Sequence, residues 1–299
     1  MNDGPQAAPS HWRLYSLIGL MTFLWALNFI VAKFAVRQIP PLMAVGFRTG
    51  LAGLLIWPIY FWERQTKSVA PWTKSDLPML IFLGMFGVTL NQLFFVLGIG
   101  KTSVAHAAIM IGMTPIIVLA IASAIGQEVL SAGKLLGMAL ALGGVALLQF
   151  SPVKGSGTTV GGDLFIFLAA ITFALFTVMG KRVTRSFSSI TVNTFAYVGG
   201  GLFLLPSTLW QCSGFPFRQL SLATWASVIY MAAFPSVLCY LIYYYALAHI
   251  PASRISAFSY LQPLLATVLA IPLLGENPTL SLVSGGLLVL VGVFVAERA

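Results

Sequence analysis

Apolar runs of about twenty residues follow one another along most of this chain, separated by short polar or Gly/Pro-containing interruptions. Ten such runs stand near 12–36, 41–62, 76–99, 102–125, 131–150, 162–182, 189–210, 223–247, 252–274 and 278–296. A helix that crosses a bilayer needs roughly 20 apolar residues, so each run predicts one spanning helix. A membrane β-barrel would instead show strands of about ten residues with alternating polarity, and no segment alternates in that way. The pattern predicts an all-α integral membrane protein of ten transmembrane helices. Residues 1–11 are polar and contain proline, which predicts a short cytoplasmic tail. No small-residue cleavage site follows a compact apolar core, so the first helix is expected to be retained.

The chain also matches itself at a constant offset. Trp62 pairs with Trp210, Pro58 with Pro206, Pro115 with Pro263 and Glu128 with Glu276, each separated by 148 residues (263 − 115 = 148). The same shift superimposes Lys33 on Lys181, Arg37 on Arg185, Gly53 on Gly201, Gly137 on Gly285 and Gly144 on Gly292. Residues 12–150 and 162–299 are therefore read as two repeats of five helices, joined by a Gly/Ser/Thr/Lys loop over 151–161. Five is odd, so the second copy enters the membrane from the opposite side. Two inverted repeats place a pseudo-two-fold axis in the membrane plane and a substrate site near the midplane between them.

Composition narrows the class further. Hydrophobic residues make up 59% of the chain and charged residues 8%, with a mean hydropathy of +0.94, against about 25% charged residues in a soluble domain. The net charge of +9 is read as topology rather than a nucleic-acid patch, because loop Lys and Arg set orientation. With both termini in the cytoplasm, ten basic residues fall inside and five outside, and Arg48 lies within a helix. Cys212 and Cys239 offer no metal spacing. No cofactor, metal or nucleic acid is expected. The expected partners are the lipid bilayer and a small-molecule substrate; a monomer is expected, with an oligomer left open.

Ionisable side chains inside membrane helices are costly, and each one suggests a function. No Asp or Glu falls at a predicted helix centre, which fits a facilitator or exchanger better than an ion-coupled pump, although a histidine can relay protons. His106 lies about one turn into the fourth helix, and Met110 and Met113 continue its face; the competing reading is interhelical packing. Trp25 and Asn28 share a stripe on the first helix and suit a zwitterion with an apolar side chain. Asn91 and Gln92 sit mid-helix in the third segment, and buried amides of this kind must find partners. Tyr240, Tyr260 and Gln262 are the deeper members of the aromatic and hydroxyl groups on the eighth and ninth helices, while some of Tyr243–Tyr245 are expected in the interfacial belt. Pro115 and Pro263 are expected to kink their helices and free carbonyls for a cavity or a gate. Arg254 is read as snorkelling toward lipid, and Arg48 as structurally paired, capping carbonyls or meeting a carboxylate on another helix, with binding of a substrate carboxylate left open. Glu128 and Glu276 are expected to cap the helices that follow them.

Trp25-Ala26-Leu27-Asn28-Phe29, Arg48 after Pro40-Pro41, Pro115, Glu128, Gly137 and Gly144 together resemble the first repeat of EamA-type transporters. Pro263, Leu274-Gly275-Glu276, Gly285 and Gly292 repeat that pattern. The whole chain resembles the drug/metabolite transporter superfamily and, within it, the YddG-like bacterial exporters of aromatic amino acids. The first repeat departs by reading Gly126-Gln127-Glu128, and the second has Phe173 and Phe176 where the first has Trp25 and Asn28. The resemblance implies export or facilitated diffusion of amino acids, aromatic or other neutral ones favoured, across a bacterial inner membrane by alternating access. The alternatives are an exporter of another small metabolite or drug, with or without proton coupling, and, from other classes, an intramembrane enzyme or a scaffold. His-Glu-x-x-His and clustered aspartates, which a membrane metalloprotease or prenyl transferase would carry, are absent from the sequence.

Overall fold

A computed structural model describes residues 10–66, 72–102, 107, 110–148, 160–184, 186–274 and 280–299. Among the described residues every regular element is helical. The helices are α1 (His11–Ala35), α2 (Pro41–Thr66), α3 (Lys74–Lys101), α4 (Thr114–Ala124), α5 (Ala132–Leu148), α6 (Val160–Val183), α7 (Ser189–Cys212) and α8 (Leu222–His249). α9 runs as Ala252–Ala257, a tight 3₁₀ turn Phe258–Tyr260 and Leu261–Leu274, and α10 is Leu280–Arg298. α1, α2, α3, α6, α7 and α8 are 24–28 residues long, about 36–42 Å at 1.5 Å per residue, which exceeds a hydrocarbon core of about 30 Å. Tyr15 Oη donates to Glu297 Oε1 (2.6 Å), so the start of α1 and the end of α10 lie side by side. That side of the bundle is the terminal face.

The duplication is visible in the backbone. α3 opens into a π-turn at Gly84–Leu90 and α8 into another at Ala232–Leu238, related by the same shift (232 − 84 = 148). A π-turn lengthens the helical register and leaves backbone carbonyls without their usual donors. Pro235, inside the second turn, has no N–H to give. Lysines repeat the same construction. Lys33 Nζ donates to the carbonyls of Ile99 (2.6 Å) and Thr102 (2.7 Å) at the end of α3. Lys181, its mate, donates to the carbonyls of Leu247 and Ile250 (2.8 Å to Ile250) at the end of α8. A cation among the last carbonyls of a helix satisfies orphan acceptors and complements the helix dipole. The ends of α3 and α8 lie on opposite faces, so one contact drawn twice shows the repeats to be inverted.

Two helix pairs cross at the pseudo-axis through glycine. α5 meets α10 where a Cβ on Gly144 would stand 2.6 Å from the Val289 nitrogen and 2.7 Å from the Gly285 carbonyl oxygen. α2 meets α7 where a Cβ on Gly53 would stand 3.3 Å from the Tyr197 carbonyl and one on Gly201 3.3 Å from Gly50 Cα. In lipid, close backbone approach of this kind replaces the hydrophobic drive that holds soluble helices together. The outer surface is apolar. Trp62 and Trp210, repeat mates, are both exposed near the ends of α2 and α7, where amphipathic rings suit the two interfaces.

Candidate functional site

α1, α2, α3, α4, α6, α8 and α9 enclose a cavity lined by Trp25, Asn28, Phe29, Arg48, Asn91, Gln92, Phe95, Ile111, Thr114, Phe173, Tyr240, Ser259 and Gln262. The space held within these walls is about 80 Å³. Eight of the thirteen lining residues form four repeat pairs at the 148-residue shift: Trp25 with Phe173, Gln92 with Tyr240, Ile111 with Ser259, and Thr114 with Gln262. The cavity therefore lies on the pseudo-two-fold axis. The pairs are chemically unequal, which makes the walls asymmetric on a symmetric frame.

The π-turns and prolines shape this space. Trp25 Nε1 donates to the Pro235 carbonyl (3.0 Å), and Tyr240 Oη donates to the Gly87 carbonyl (2.8 Å). Gly87 and Pro235 are repeat mates, one in each π-turn. Each released carbonyl is thus taken by an aromatic side chain from the other repeat. Trp25 meets Phe173 and Tyr240 edge-on, with centroids 5.8 and 5.9 Å apart, and Phe29 meets Phe95 likewise at 5.4 Å, the geometry that aromatic quadrupoles favour. Pro115 and Pro263 cannot donate to the residues four positions earlier, Ile111 and Ser259, and both of those line the cavity. On α4 the Met113 N–H reaches back to the Met110 carbonyl (3.1 Å); on α9 the matching turn is the 3₁₀ segment Phe258–Tyr260.

The polar lining is only partly satisfied. Asn91 Nδ2 donates to the Ala169 carbonyl (2.8 Å), and Gln92 Nε2 donates to Tyr197 Oη (3.0 Å). Asn28 Oδ1 and Gln92 Oε1 are buried and accept no hydrogen bond among the described residues. Arg48, 4% exposed, donates from Nε to Ser236 Oγ (2.8 Å). Ser236, inside the second π-turn, in turn donates to the carbonyl of Met231 (2.7 Å), the residue before that turn. The structural partner of Arg48 on another helix is, among the described residues, this serine rather than a carbonyl or a carboxylate.

Of the residues singled out from sequence, Trp25, Asn28, Asn91, Gln92, Tyr240 and Gln262 line the cavity together. Met110 packs beside the cluster of Phe29, Ile39 and Phe95, and Met113 is half-buried at the turn before Pro115; neither lines the cavity. Tyr260 is fully buried with Leu119, Met138, Val145 and Val289, next to α5 and α10. His106 and Glu276 lie outside the described residues. Phe29, Phe95, Phe173 and Ile111 are lining residues that the sequence reading did not select; the 148-residue shift from Trp25 points to Phe173, the proline four residues on points to Ile111, and only packing points to Phe29 and Phe95.

Toward the terminal face the interior is filled by rings. Tyr243 and Tyr244 are buried and meet Phe176 at centroid distances of 6.5 and 5.1 Å, with Tyr243 Oη and Thr177 Oγ1 2.7 Å apart. They belong to the core and not to the interfacial belt; Tyr245, half-buried beside His249, is the member left near the surface. Beyond the rings, Glu128 accepts from the Ser253 backbone N–H (3.0 Å), the Ser253 hydroxyl and Lys134 Nζ (3.0 Å). It caps α9 in the other repeat rather than the helix that follows it, and so ties the two repeats together at this face. Burial opposes its ionisation, but the hydrogen bonds from Ser253 and the Lys134 ammonium outweigh burial and hold its carboxyl below the usual carboxylate range. Arg254 lies 3.7 Å from Glu297 and is an ion-pair partner rather than a lipid-directed side chain.

Comparison with known proteins agrees with this architecture. Residues 12–150 and 160–297 each match the EamA-like transporter family. A transporter of Archaeoglobus fulgidus is 27% identical over 285 residues, covering 95% of this chain and 96% of its own length. The Bacillus subtilis transporter YyaM is 29% identical over 295 residues, covering 96% and 94%. A Streptantibioticus cattleyicolor protein named "Probable terminal-alkyne amino-acid exporter" is 26% identical over 223 residues, covering 75% and 74%. A solved crystal structure superimposes with a TM-score of 0.76 over 97% of this chain and 98% of that one, at 18% identity, a likeness of fold. With two matching repeats that span nearly the whole chain, this protein belongs to the EamA-like transporter family and is a multi-pass membrane transporter.

Proposed function

We propose that this transporter carries neutral amino acids, aromatic ones favoured, out of the cell by alternating access at the axial cavity. The carrying observation is the pairing of aromatic walls with unused acceptors. Trp25, Phe29, Phe95, Phe173 and Tyr240 offer faces and edges to an apolar side chain, and Asn28 Oδ1 and Gln92 Oε1 are carbonyl-type oxygens free to accept from an ammonium group. Buried acceptors left unpaired are costly, and a substrate N–H supplies what the protein does not. The name of the Streptantibioticus relative, an amino-acid exporter, points the same way. So does the resemblance to YddG-like exporters.

In this reading the terminal face is cytoplasmic, in keeping with the excess of Lys and Arg on that side, and the membrane is the bacterial inner membrane. The Glu128–Ser253 tie and the Phe176–Tyr243–Tyr244 rings form the inner gate. Pro115 and Pro263 supply the flexible points next to the site, where broken backbone hydrogen bonds lower the cost of bending. No carboxylate lines the cavity among the described residues, which favours flux down the substrate gradient. Uptake of radiolabelled phenylalanine, methionine and threonine by proteoliposomes, with no ion gradient imposed, tests the reading. Saturable flux upholds it, and the absence of flux for every amino acid, with the protein folded, overturns it.

A further inference from the structure

Five acidic residues fall among the described residues, and each is engaged away from the cavity. Ser188 donates to Glu63 (2.7 Å), and Thr73 donates from its backbone and side chain to Asp76 (both 2.7 Å). Ser253 and Lys134 hold Glu128, Thr102 donates to Asp163, and Tyr15 and Arg254 meet Glu297. Arg48 is different. It lies two turns into α2, it lines the cavity, and its one hydrogen bond among the described residues uses Nε alone. A guanidinium has five N–H donors in a fixed fork. Its repeat mate is Ala196 (196 − 48 = 148), so the charge has no symmetric counterpart and polarises one side of the cavity.

A buried cation with no counter-ion is among the costliest features a membrane protein can hold, and packing does not require one here. We propose that Arg48 is the carboxylate anchor of the transported solute. The substrate's carboxylate takes a bidentate pair from the free end of the guanidinium, the strongest geometry open to the two groups. Asn28 Oδ1 and Gln92 Oε1 accept from its ammonium, and the Trp25–Phe173–Tyr240 wall holds its side chain. Ser236 acts as a positioning residue: it accepts from Nε and fixes the plane of the fork. The substrate class is then a solute that carries a carboxylate, and amines or amides of the same shape are rejected because they leave Arg48 unpaired. This inference rests on the reading that the axial cavity is the substrate's path.

The test is competition against labelled phenylalanine counterflow by unlabelled phenylalanine and by phenylalaninamide, which keeps the ring and ammonium and lacks the carboxylate. In the wild-type protein the amide is expected to compete about tenfold or more weakly than the acid. Arg48→Gln is expected to remove that difference and Arg48→Lys to keep part of it, since a lysine retains the charge without the fork. Ser236→Ala is expected to raise KM for phenylalanine while largely sparing kcat, and it serves if Arg48→Gln does not fold. Equal competition by acid and amide in the wild type, or full acid preference in a folded Arg48→Gln, overturns the anchor. If no amino acid is transported, thermal stabilisation by 3-phenylpropionate against 3-phenylpropylamine reads the anchor alone. Stabilisation by the acid only, lost in Arg48→Gln, upholds Arg48 while the amino-acid reading falls; stabilisation by neither or by both overturns Arg48 as well.

Discussion

Ser253 gives both its backbone N–H and its hydroxyl to the Glu128 carboxylate, and this joins the end of α4 in the first repeat to the start of α9 in the second. A carboxylate at a helix N-terminus satisfies orphan donors and meets the positive end of the helix dipole. In the alternating-access reading proposed above, opening the terminal face breaks this contact between the repeats.

Removal of the tie should therefore favour opening at that face. Hydrogen bonds to a charged group contribute about 1.5–3 kcal/mol each when lost, and part of that returns as water replaces them. A net shift of about 1–2 kcal/mol changes the population ratio roughly 5–30-fold. Glu128→Ala, read by labelling of a cysteine placed at buried Ser256 with a membrane-impermeant maleimide from the terminal side, is expected to react faster by that order. An unchanged labelling rate would remove Glu128 from the gate.

The same carboxylate gives a pH signature. Its folded-state carboxyl titrates below the ordinary value, so its contribution is complete above the unfolded pKa of about 4.3 and is lost as pH falls through the folded value. The wild-type protein should melt higher than Glu128→Gln at pH 6–7, and the two should converge only as the pH drops below about 4. Melting curves that already converge above that pH, or that do not differ at pH 6–7, would contradict the assignment.

α5 and α10 leave no room for a side chain at Gly144. Gly144→Ala places a methyl 2.6 Å from the Val289 nitrogen, and backbone cannot rotate away as a side chain can. Overpacking of this kind costs about 1–3 kcal/mol, so a clear drop in melting temperature in detergent is expected. Gly19→Ala, with nothing within 4 Å, is the matched control and should not lower it.

Tyr260 separates structure from transport. Its ring is fully buried beside α5 and α10, and truncation of a large buried aromatic costs about 3–5 kcal/mol. Tyr260→Ala should lower stability before it alters selectivity, and Tyr260→Phe should keep both the fold and the uptake rate. A Tyr260→Ala protein with normal melting and altered substrate preference would place the ring at the site instead.

The helical class and the duplication were legible because they rest on long-range regularities: run length for the spans, and a single offset from Lys33/Lys181 to Gly144/Gly292 for the repeats. That offset also carries the π-turns and the lysine caps, neither of which has a composition signature of its own. The cavity lining was legible where a polar or aromatic residue stood mid-helix, as with Trp25, Asn28, Gln92 and Tyr240. It was missed where helical periodicity failed. A regular helix puts Met110 and Met113 on one face, but the tight turn before Pro115 alters the register, and Ile111 and Thr114 line the cavity instead. Partners across the bundle were also out of reach: Glu128 caps α9 and Arg48 meets Ser236 because inverted repeats interleave, and no local pattern encodes that.

The axial cavity as the path of an amino acid is the central claim, and phenylalanine flux through the Trp25→Ala variant tests it most directly. Trp25 forms one wall and holds the Pro235 carbonyl of the opposite repeat. Saturable phenylalanine uptake by wild-type proteoliposomes that falls about tenfold or more in Trp25→Ala, at equal reconstitution and similar melting temperature, is the result expected when an aromatic contact and a hydrogen bond at the site are lost together. Equal uptake by the two proteins would contradict the account.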